Sequence, residues 1–385
     1  MALDVVIAGG GIGGLACAYA LASTGQTVRV LEREAEFTEV GAGLQMAPNA
    51  TRILRRWGLL DEVLDAGVRP RRLVFRSALD GSPLTHLDLD EVFTRRYGAP
   101  YVLIHRSDLL TILVRACERA GVTLVPNSTV EDVVTKGDTA VVRTASGEHR
   151  ADLAVAADGL RSRLRAHLSA DEPVCAGYVA YRGALPVDQL GRDLDEHARH
   201  DVVVYVGPGC HLVQYPLRRG EIFNTVAVFA SPAYRRGEPD WGGPDELDAA
   251  FAGACEQVRL GLGSLWRDRR WPMYDRLPID RWVAGRLVLT GDAAHPMLQY
   301  LAQGACQAIE DAAQLASSLS TNDCAAGLAE YETVRTRRTA EVQTRARAWG
   351  EIWHVDGLAR TLRDELFRDR RVDDFKHVDW LYLPT

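Results

Sequence analysis

Apolar runs of four or five residues recur along this chain, and each is told apart by what closes it. Val5-Val6-Ile7-Ala8 ends in Gly9-Gly10-Gly11-Ile12-Gly13-Gly14, a small-residue helical pattern continues to about Ser23, and Thr27 to Leu31 is a second apolar run stopping at Glu32. That order predicts strand, tight turn, helix and strand. From Leu73 to Leu89 the pattern shifts to short alternating segments with a turn at Asp80-Gly81, as antiparallel strands require. A helix is predicted from Ser107 to Ala120 with Ser107 as N-cap, then short strands at Thr123 to Val125, Val130 to Thr135 and Ala140 to Thr144.

Two more buried strands end in acid–glycine turns. Ala151 to Ala157 runs into Asp158-Gly159, and Arg286 to Thr290 runs into Gly291-Asp292-Ala293-Ala294-His295-Pro296. Between them Val202 to Val206, Leu212 to Tyr215 and Ile222 to Ala230 are strand-like and separated by Gly and Pro, predicting an antiparallel sheet. A helix follows from Ala305 to about Ser318, and the tail from Ala325 onward is helical with charged faces. The predicted organisation is an α/β, Rossmann-like domain made of residues 1–72, 99–173 and 275–330. Into it is inserted an antiparallel-sheet domain made of 73–98 and 174–274, and a helical segment, 331–385, closes the chain.

Composition narrows the classes. The net charge of −7 argues against a nucleic-acid partner, which needs a basic face. The seven cysteines are scattered and form no C-x-x-C pair, as expected of a cytoplasmic chain without disulfides or a cysteine metal site. No metal is expected, no secretory leader is read in the first residues, and no run is long and apolar enough to span a bilayer.

Gly9, Gly11 and Gly14 stand in G-x-G-x-x-G spacing, with Glu32 placed 21 residues after the second glycine. The first glycine makes the turn, the second admits a pyrophosphate to the backbone, the third packs helix on strand, and the acid is placed for a ribose hydroxyl. The glycine-rich loop from Val40 to Ala50, which holds Gln45, is a candidate for the far end of the ligand. A second Gly-rich nucleotide unit is absent: Gly261-Leu262-Gly263 continues to Ser264-Leu265-Trp266 and breaks the fingerprint. That, with no redox cysteine pair, argues against a flavin disulfide reductase.

Together, Gly9 to Gly14, Asp158-Gly159 and Gly291 to Pro296 resemble the class A flavoprotein aromatic hydroxylases, the single-component FAD monooxygenases with the p-hydroxybenzoate hydroxylase fold. The resemblance covers essentially the whole chain. It implies an enzyme that uses NADH or NADPH and O2 to hydroxylate a phenolic aromatic acid through a flavin C4a-hydroperoxide, and that assembles as a homodimer. It implies that Gly9, Gly11, Gly13 and Gly14 line the FAD pyrophosphate, that Glu32, Arg33, Arg106 and Val130 lie about the adenosine and phosphates, and that Asp158-Gly159 serves both FAD and the nicotinamide donor. Asp292 would meet the ribityl chain, and Gln303, Gly304 and Ala305 the flavin pyrimidine edge.

Met297 to Ala305, and the tail Trp349-Gly350-Glu351-Ile352-Trp353-His354-Val355-Asp356-Gly357, are similar to the corresponding parts of the 3-hydroxybenzoate 6-hydroxylases. Salicylate and 6-hydroxynicotinate hydroxylases share the scaffold but match this tail less well. The implied reaction is 3-hydroxybenzoate to 2,5-dihydroxybenzoate, with a salicylate-type or other phenolic substrate as the alternative and a non-enzymatic flavin-fold binding protein as the remote one. A phenol with a pKa of ~10 is barely ionised at pH 7, so a positioned base is expected. Strand alternation puts His211, Val213 and Tyr215 on one face and Cys210, Leu212 and Gln214 on the other. In the 3-hydroxybenzoate 6-hydroxylases the matching histidine and glutamine are implicated in ring activation, so the resemblance implies His211 as the base and Gln299 as its polar partner, with Tyr215 as an orienting donor and Val213 and Tyr101 in the pocket. His295 is read as shaping the flavin loop, and His105 and His354 are given no role.

Overall fold

A computed structural model describes residues 2–38, 43–189 and 196–384; Val40 to Ala42, which open the predicted glycine-rich loop, lie outside them. The first sheet runs, edge to edge, through Val283–Ala284, Leu287–Leu289, Leu153–Ala156, Asp4–Ala8, Thr27–Leu31 and Thr123–Val125. All neighbours pair in parallel except the first two strands. Its strands are short and almost wholly apolar because both faces are covered. Register explains why three distant motifs matter together. Ala8 pairs with Ala156, and Ala156 with Leu289, so Gly9, Asp158 and Gly291 leave the sheet side by side at its carboxyl edge. That edge is where open α/β sheets bind ligands.

The helix Ile12–Ser23 leaves Gly9-Gly10-Gly11 at once. A Cβ on Gly14 would lie 2.0 Å from the carbonyl oxygen of Gly9, so only glycine lets this turn of helix sit on the strand end. The helix Gly304–Thr321 packs against it, with Gly13 close to Ala308.

The second sheet orders Trp271–Asp275, Val174–Pro186, Ile222–Ala230, Cys210–Leu217, Val202–Gly207, Arg72–Ser77 and Pro83–Asp88. The expectation of a purely antiparallel sheet needs one correction. Val202–Gly207 runs parallel to Arg72–Ser77, which arrives from the other segment of the chain and owes its direction to no hairpin. The predicted alternation holds: Cys210 and Leu212 join a core with Leu247, Phe251 and Val258, while Val213 and Tyr215 join the main core.

Another correction concerns the helix predicted from Ser107. It spans Arg106–Arg119, and its N-cap is His105, whose Nδ1 accepts from the Ser107 amide at 3.3 Å. The imidazole nitrogen takes the place a serine oxygen usually fills.

The tail forms helices Cys324–Trp353, Gly357–Asp369 and Lys376–Tyr382. It is sewn to the body. Arg338 donates to the Trp380 and Leu381 carbonyls, each at 2.7 Å, while Phe75 of the second sheet meets Trp353 edge-on at 5.5 Å. Among the described residues no helix is long and apolar enough to cross a membrane.

Candidate active site

One cavity of about 1630 Å³ runs from the glycine turn, along the carboxyl edge of the first sheet, to the inner face of the second. Pockets for a single small molecule occupy ~300–1,000 Å³, so this one has room for an extended ligand and a second small one. At one end are Gly11 and Gly13. The cap of the first helix is Gly11, which offers no side-chain acceptor, so the helix's leading amides remain for an anion. Midway lie Gly159, Arg106 and Asp292, with Asp292 exposed. Nearer the second sheet are Gln45, Gln303, Gly304 and Ala305.

The helix Gly304–Thr321 also begins without a side-chain cap, and a Cβ on Gly304 would meet nothing within 4 Å. Buried polar atoms are left over beside the cavity: Gln303 Nε2 and Asp158 Oδ1 have no partner among the described residues. Uncapped helix starts, open glycines and orphaned polar atoms at the edge of a parallel sheet fit FAD.

The remaining cofactor candidates do not line the cavity. Gly9 and Gly14 act through the turn itself, with φ +109° at Gly9. Glu32 accepts from the amides of Gly10, at 2.6 Å, and Glu34, at 3.0 Å, so its carboxylate braces the glycine turn. Arg33 is exposed beside Glu34, and Val130 begins an outer strand. Asp158 Oδ2 accepts from the Arg163 and Leu164 amides and holds the following turn.

The substrate end is built on the second sheet. His211, Val213 and Tyr215 all face the cavity, as the alternation predicts. Gly43 makes room for Tyr215: a Cβ there would lie 2.4 Å from the ring. Burial holds the Tyr215 hydroxyl above the usual phenol range, with Arg182 pulling it the other way, so it stays a neutral donor. Tyr101 also lines the cavity, but its hydroxyl donates to Gln45 Oε1 at 2.8 Å and is already engaged.

His211 departs from the expected partnership. Its Nδ1 lies 2.8 Å from Nε2 of His354, the residue that ends the long tail helix. Gln299 instead accepts from Arg182 Nη2 at 3.3 Å. The two imidazoles stack at 21° with centroids 5.0 Å apart, walled by Tyr300 and Trp353. Burial lowers the pKa of His211 well below the ordinary imidazole range, and the neighbouring His354 lowers it further. Burial, then Arg363, depresses His354 to about 3. Both are neutral at pH 7, and one proton is shared between them.

His354 is the residue sequence reasoning missed, although it sits inside the tail motif Trp353-His354-Val355. Arg182 was missed as well; a lone cation on an otherwise apolar strand was its signal.

His295, expected to shape the flavin loop, is tied to the turn at Gly291 through Asp311. Its Nε2 lies 2.5 Å from Asp311 Oδ2, and the same oxygen accepts from the Gly291 amide at 2.9 Å.

A dinucleotide-binding edge joined by one cavity to a sheet face carrying His211 and Tyr215 suits the FAD-dependent aromatic hydroxylases, which use NAD(P)H as electron donor. Residues 2–346 match the model described as FAD binding domain, and the chain belongs to that family, within the class A flavin hydroxylases. Over 387 residues, 99% of this chain and 96% of the relative, it is 36% identical to 3-hydroxybenzoate 6-hydroxylase of Polaromonas naphthalenivorans (strain CJ2). It is 38% identical to 3-amino-4-hydroxybenzoate 2-monooxygenase of Streptomyces cremeus, covering 100% of this chain and 95% of that one. The fold matches Klebsiella pneumoniae HpxO complexed with FAD and uric acid, with a TM-score of 0.85 at 26% identity over 99% of this chain and 97% of the other.

Proposed function

We propose that this enzyme hydroxylates a benzoate para to its phenolic hydroxyl, converting 3-hydroxybenzoate to 2,5-dihydroxybenzoate. The observation carrying this reading is the His211–His354 pair, buried and neutral, on the cavity that also meets the start of the helix Gly304–Thr321. Bound FAD, reduced by NAD(P)H, activates O2 and supplies the oxygen that enters the ring.

This chain's residues act on the phenol. In the tautomer in which His211 Nδ1–H donates to His354 Nε2, the His211 Nε2 carries a bare lone pair and accepts the substrate hydroxyl. An imidazole whose pKa is depressed holds no phenolate at rest. It need not, because the hydroxyl becomes strongly acidic as the ring gives up an electron pair, and the proton then falls to Nε2. His354 acts as a positioning residue: without its Nε2, His211 is free to adopt the other tautomer and present a donor. Tyr215 supplies a hydroxyl to the ring substituents, and Tyr300 and Trp353 exclude water.

A second reading, attack on 3-amino-4-hydroxybenzoate at position 2, is favoured by the Streptomyces cremeus relative. Aerobic NADH oxidation by the FAD-loaded enzyme, with and without each acid and with products identified by mass and retention, separates the two. Stimulation by 3-hydroxybenzoate with 2,5-dihydroxybenzoate as product is expected. No stimulation, or a product hydroxylated elsewhere, would overturn the first reading.

A further inference from the structure

We infer that Arg182 is the carboxylate anchor of the substrate site, gripping the aromatic acid at the end opposite His211 while Gln299 holds the guanidinium ready. The inference rests on the proposed reading only in taking an aromatic acid as substrate.

The first ground is the state of the guanidinium. Five arginines are fully buried among the described residues, and each reaches a carboxylate. Arg165 and Arg276 meet Asp171, Arg335 meets Glu310 and Asp311, Arg338 meets Glu310, and Arg363 meets Asp364. Arg182, partly accessible through the cavity it lines, reaches none. Its Nη2 donates one long bond to Gln299 Oε1 at 3.3 Å, its Nε is buried without a partner, and its charge lies 5.8 Å from the Trp271 ring. A desolvated cation is costly unless paired. Burial lowers its pKa, and the nearby Arg106 acts in the same direction. The missing partner is an anion, and the planar fork of an arginine matches a carboxylate with two parallel bonds.

The second ground is position. Arg182 pairs with Val226, Val226 with Val213, and His211 is two residues from Val213 on the same face. Arg182 and His211 are therefore two strand spacings of about 4.8 Å and two residues of about 3.4 Å apart, a backbone separation of roughly 12 Å. Side chains stand away from a sheet nearly perpendicular, so their heads are separated by a similar amount. That matches a hydroxybenzoate carrying a hydrogen bond at each end. Between them on that face stand Val213 and Val226, both apolar and both lining the cavity.

Anchoring one end by charge and the other by the phenol fixes which ring carbon faces the oxidant. Arg182 then determines both the preference for acids and the position of attack.

The test is binding to the FAD-loaded enzyme, read from the change in flavin absorbance on titration with 3-hydroxybenzoate and with its uncharged amide, 3-hydroxybenzamide. Wild type should bind the acid more tightly than the amide. Arg182→Gln should weaken the acid about 10- to 100-fold, the span of a lost charge-assisted pair, and the amide by less than about threefold. Arg182→Lys, which keeps the charge but loses the fork, should fall between them. Equal binding of acid and amide by wild type overturns the assignment even if no variant folds. So does an unchanged acid-to-amide ratio in FAD-loaded Arg182→Gln. If 3-hydroxybenzoate is not turned over, but salicylate or 3-amino-4-hydroxybenzoate shows the Arg182-dependent preference over its amide, the proposed substrate fails and the anchor stands.

Discussion

His295 and His211 are both almost completely buried, and they live in opposite electrostatic worlds. His295 belongs to an ionic cluster through its Nε2, while its Nδ1 is buried without a partner among the described residues. Asp311 accepts from it, from the Gly291 amide and from Arg335 Nε at 2.7 Å, and Arg335 continues to Glu310 at 2.6 Å. His211 has no charged partner; its neighbour is another neutral imidazole, and its second nitrogen is left for the cavity. The first arrangement fixes a loop through buried ion pairs. The second holds a proton between two weak bases and leaves a nitrogen facing the cavity where a phenol can arrive. Buried ion pairs hold a fold in one state, whereas an unpaired group facing a cavity marks where a ligand can bind.

The sharpest way to break the contrast is to remove the open side. His211→Ala should keep FAD and lower hydroxylation about 10²–10⁴-fold, the usual contribution of a positioned acid–base group. NADH oxidation and product would be counted separately. Product formation at the wild-type rate would remove His211 from the chemistry.

Breaking the ion-paired side should instead cost stability. Asp311 is fully buried; burial pushes its pKa up, but His295 and Arg335 outweigh this and hold it below the ordinary carboxylate range. Asp311→Asn leaves His295 and part of Arg335 uncompensated, and about 3–5 kcal/mol should disappear from the unfolding free energy in urea. The folded pKa is depressed, so this stabilisation is complete above the ordinary carboxylate pKa of about 4 and fades only as pH falls below it. Near neutrality the loss should therefore not change with pH.

A smaller effect is expected at the partner imidazole. His354→Asn keeps a polar atom near His211 Nδ1 but no longer selects the tautomer, and kcat should fall about tenfold while KM for the acid holds. A matching rise in KM would make His354 part of the binding wall instead.

What could be read from sequence follows from range. The glycine turn, the strand ends at Asp158 and Gly291, and the facing of His211 and Tyr215 are products of local period and turn chemistry, and all reappear in the structure. His354 could not be read, because it meets His211 across 143 residues only when the tail helix folds back on the sheet. Arg182 in Tyr181-Arg182-Gly183 looks like any charged residue on a strand until its missing counterion is seen. The same holds for Gln299, whose bond to Arg182 spans 117 residues. Ser107 was read as a cap by residue type; the histidine before it does that work because its ring reaches the same amide.

The finest discrimination between the two histidine environments is pH. Folding holds His354 neutral down to about 3, whereas in the unfolded chain it protonates near 6.5. Above pH 6.5 both states are neutral and the residue adds no pH dependence. Between 6.5 and about 3 the unfolded chain binds the extra proton, so stability falls with acidification by about 1.4 kcal/mol per pH unit for each such histidine. His211, also depressed, adds to the same slope. Urea unfolding of wild type and His354→Asn at pH 7.5 and 5.5 should therefore show the variant losing less on acidification, by about 1 kcal/mol. Parallel losses in both proteins would mean that His354 titrates alike in the folded and unfolded chain. The pair would then take up a proton just below neutral pH, and His211 would meet the phenol as a neutral base only above it.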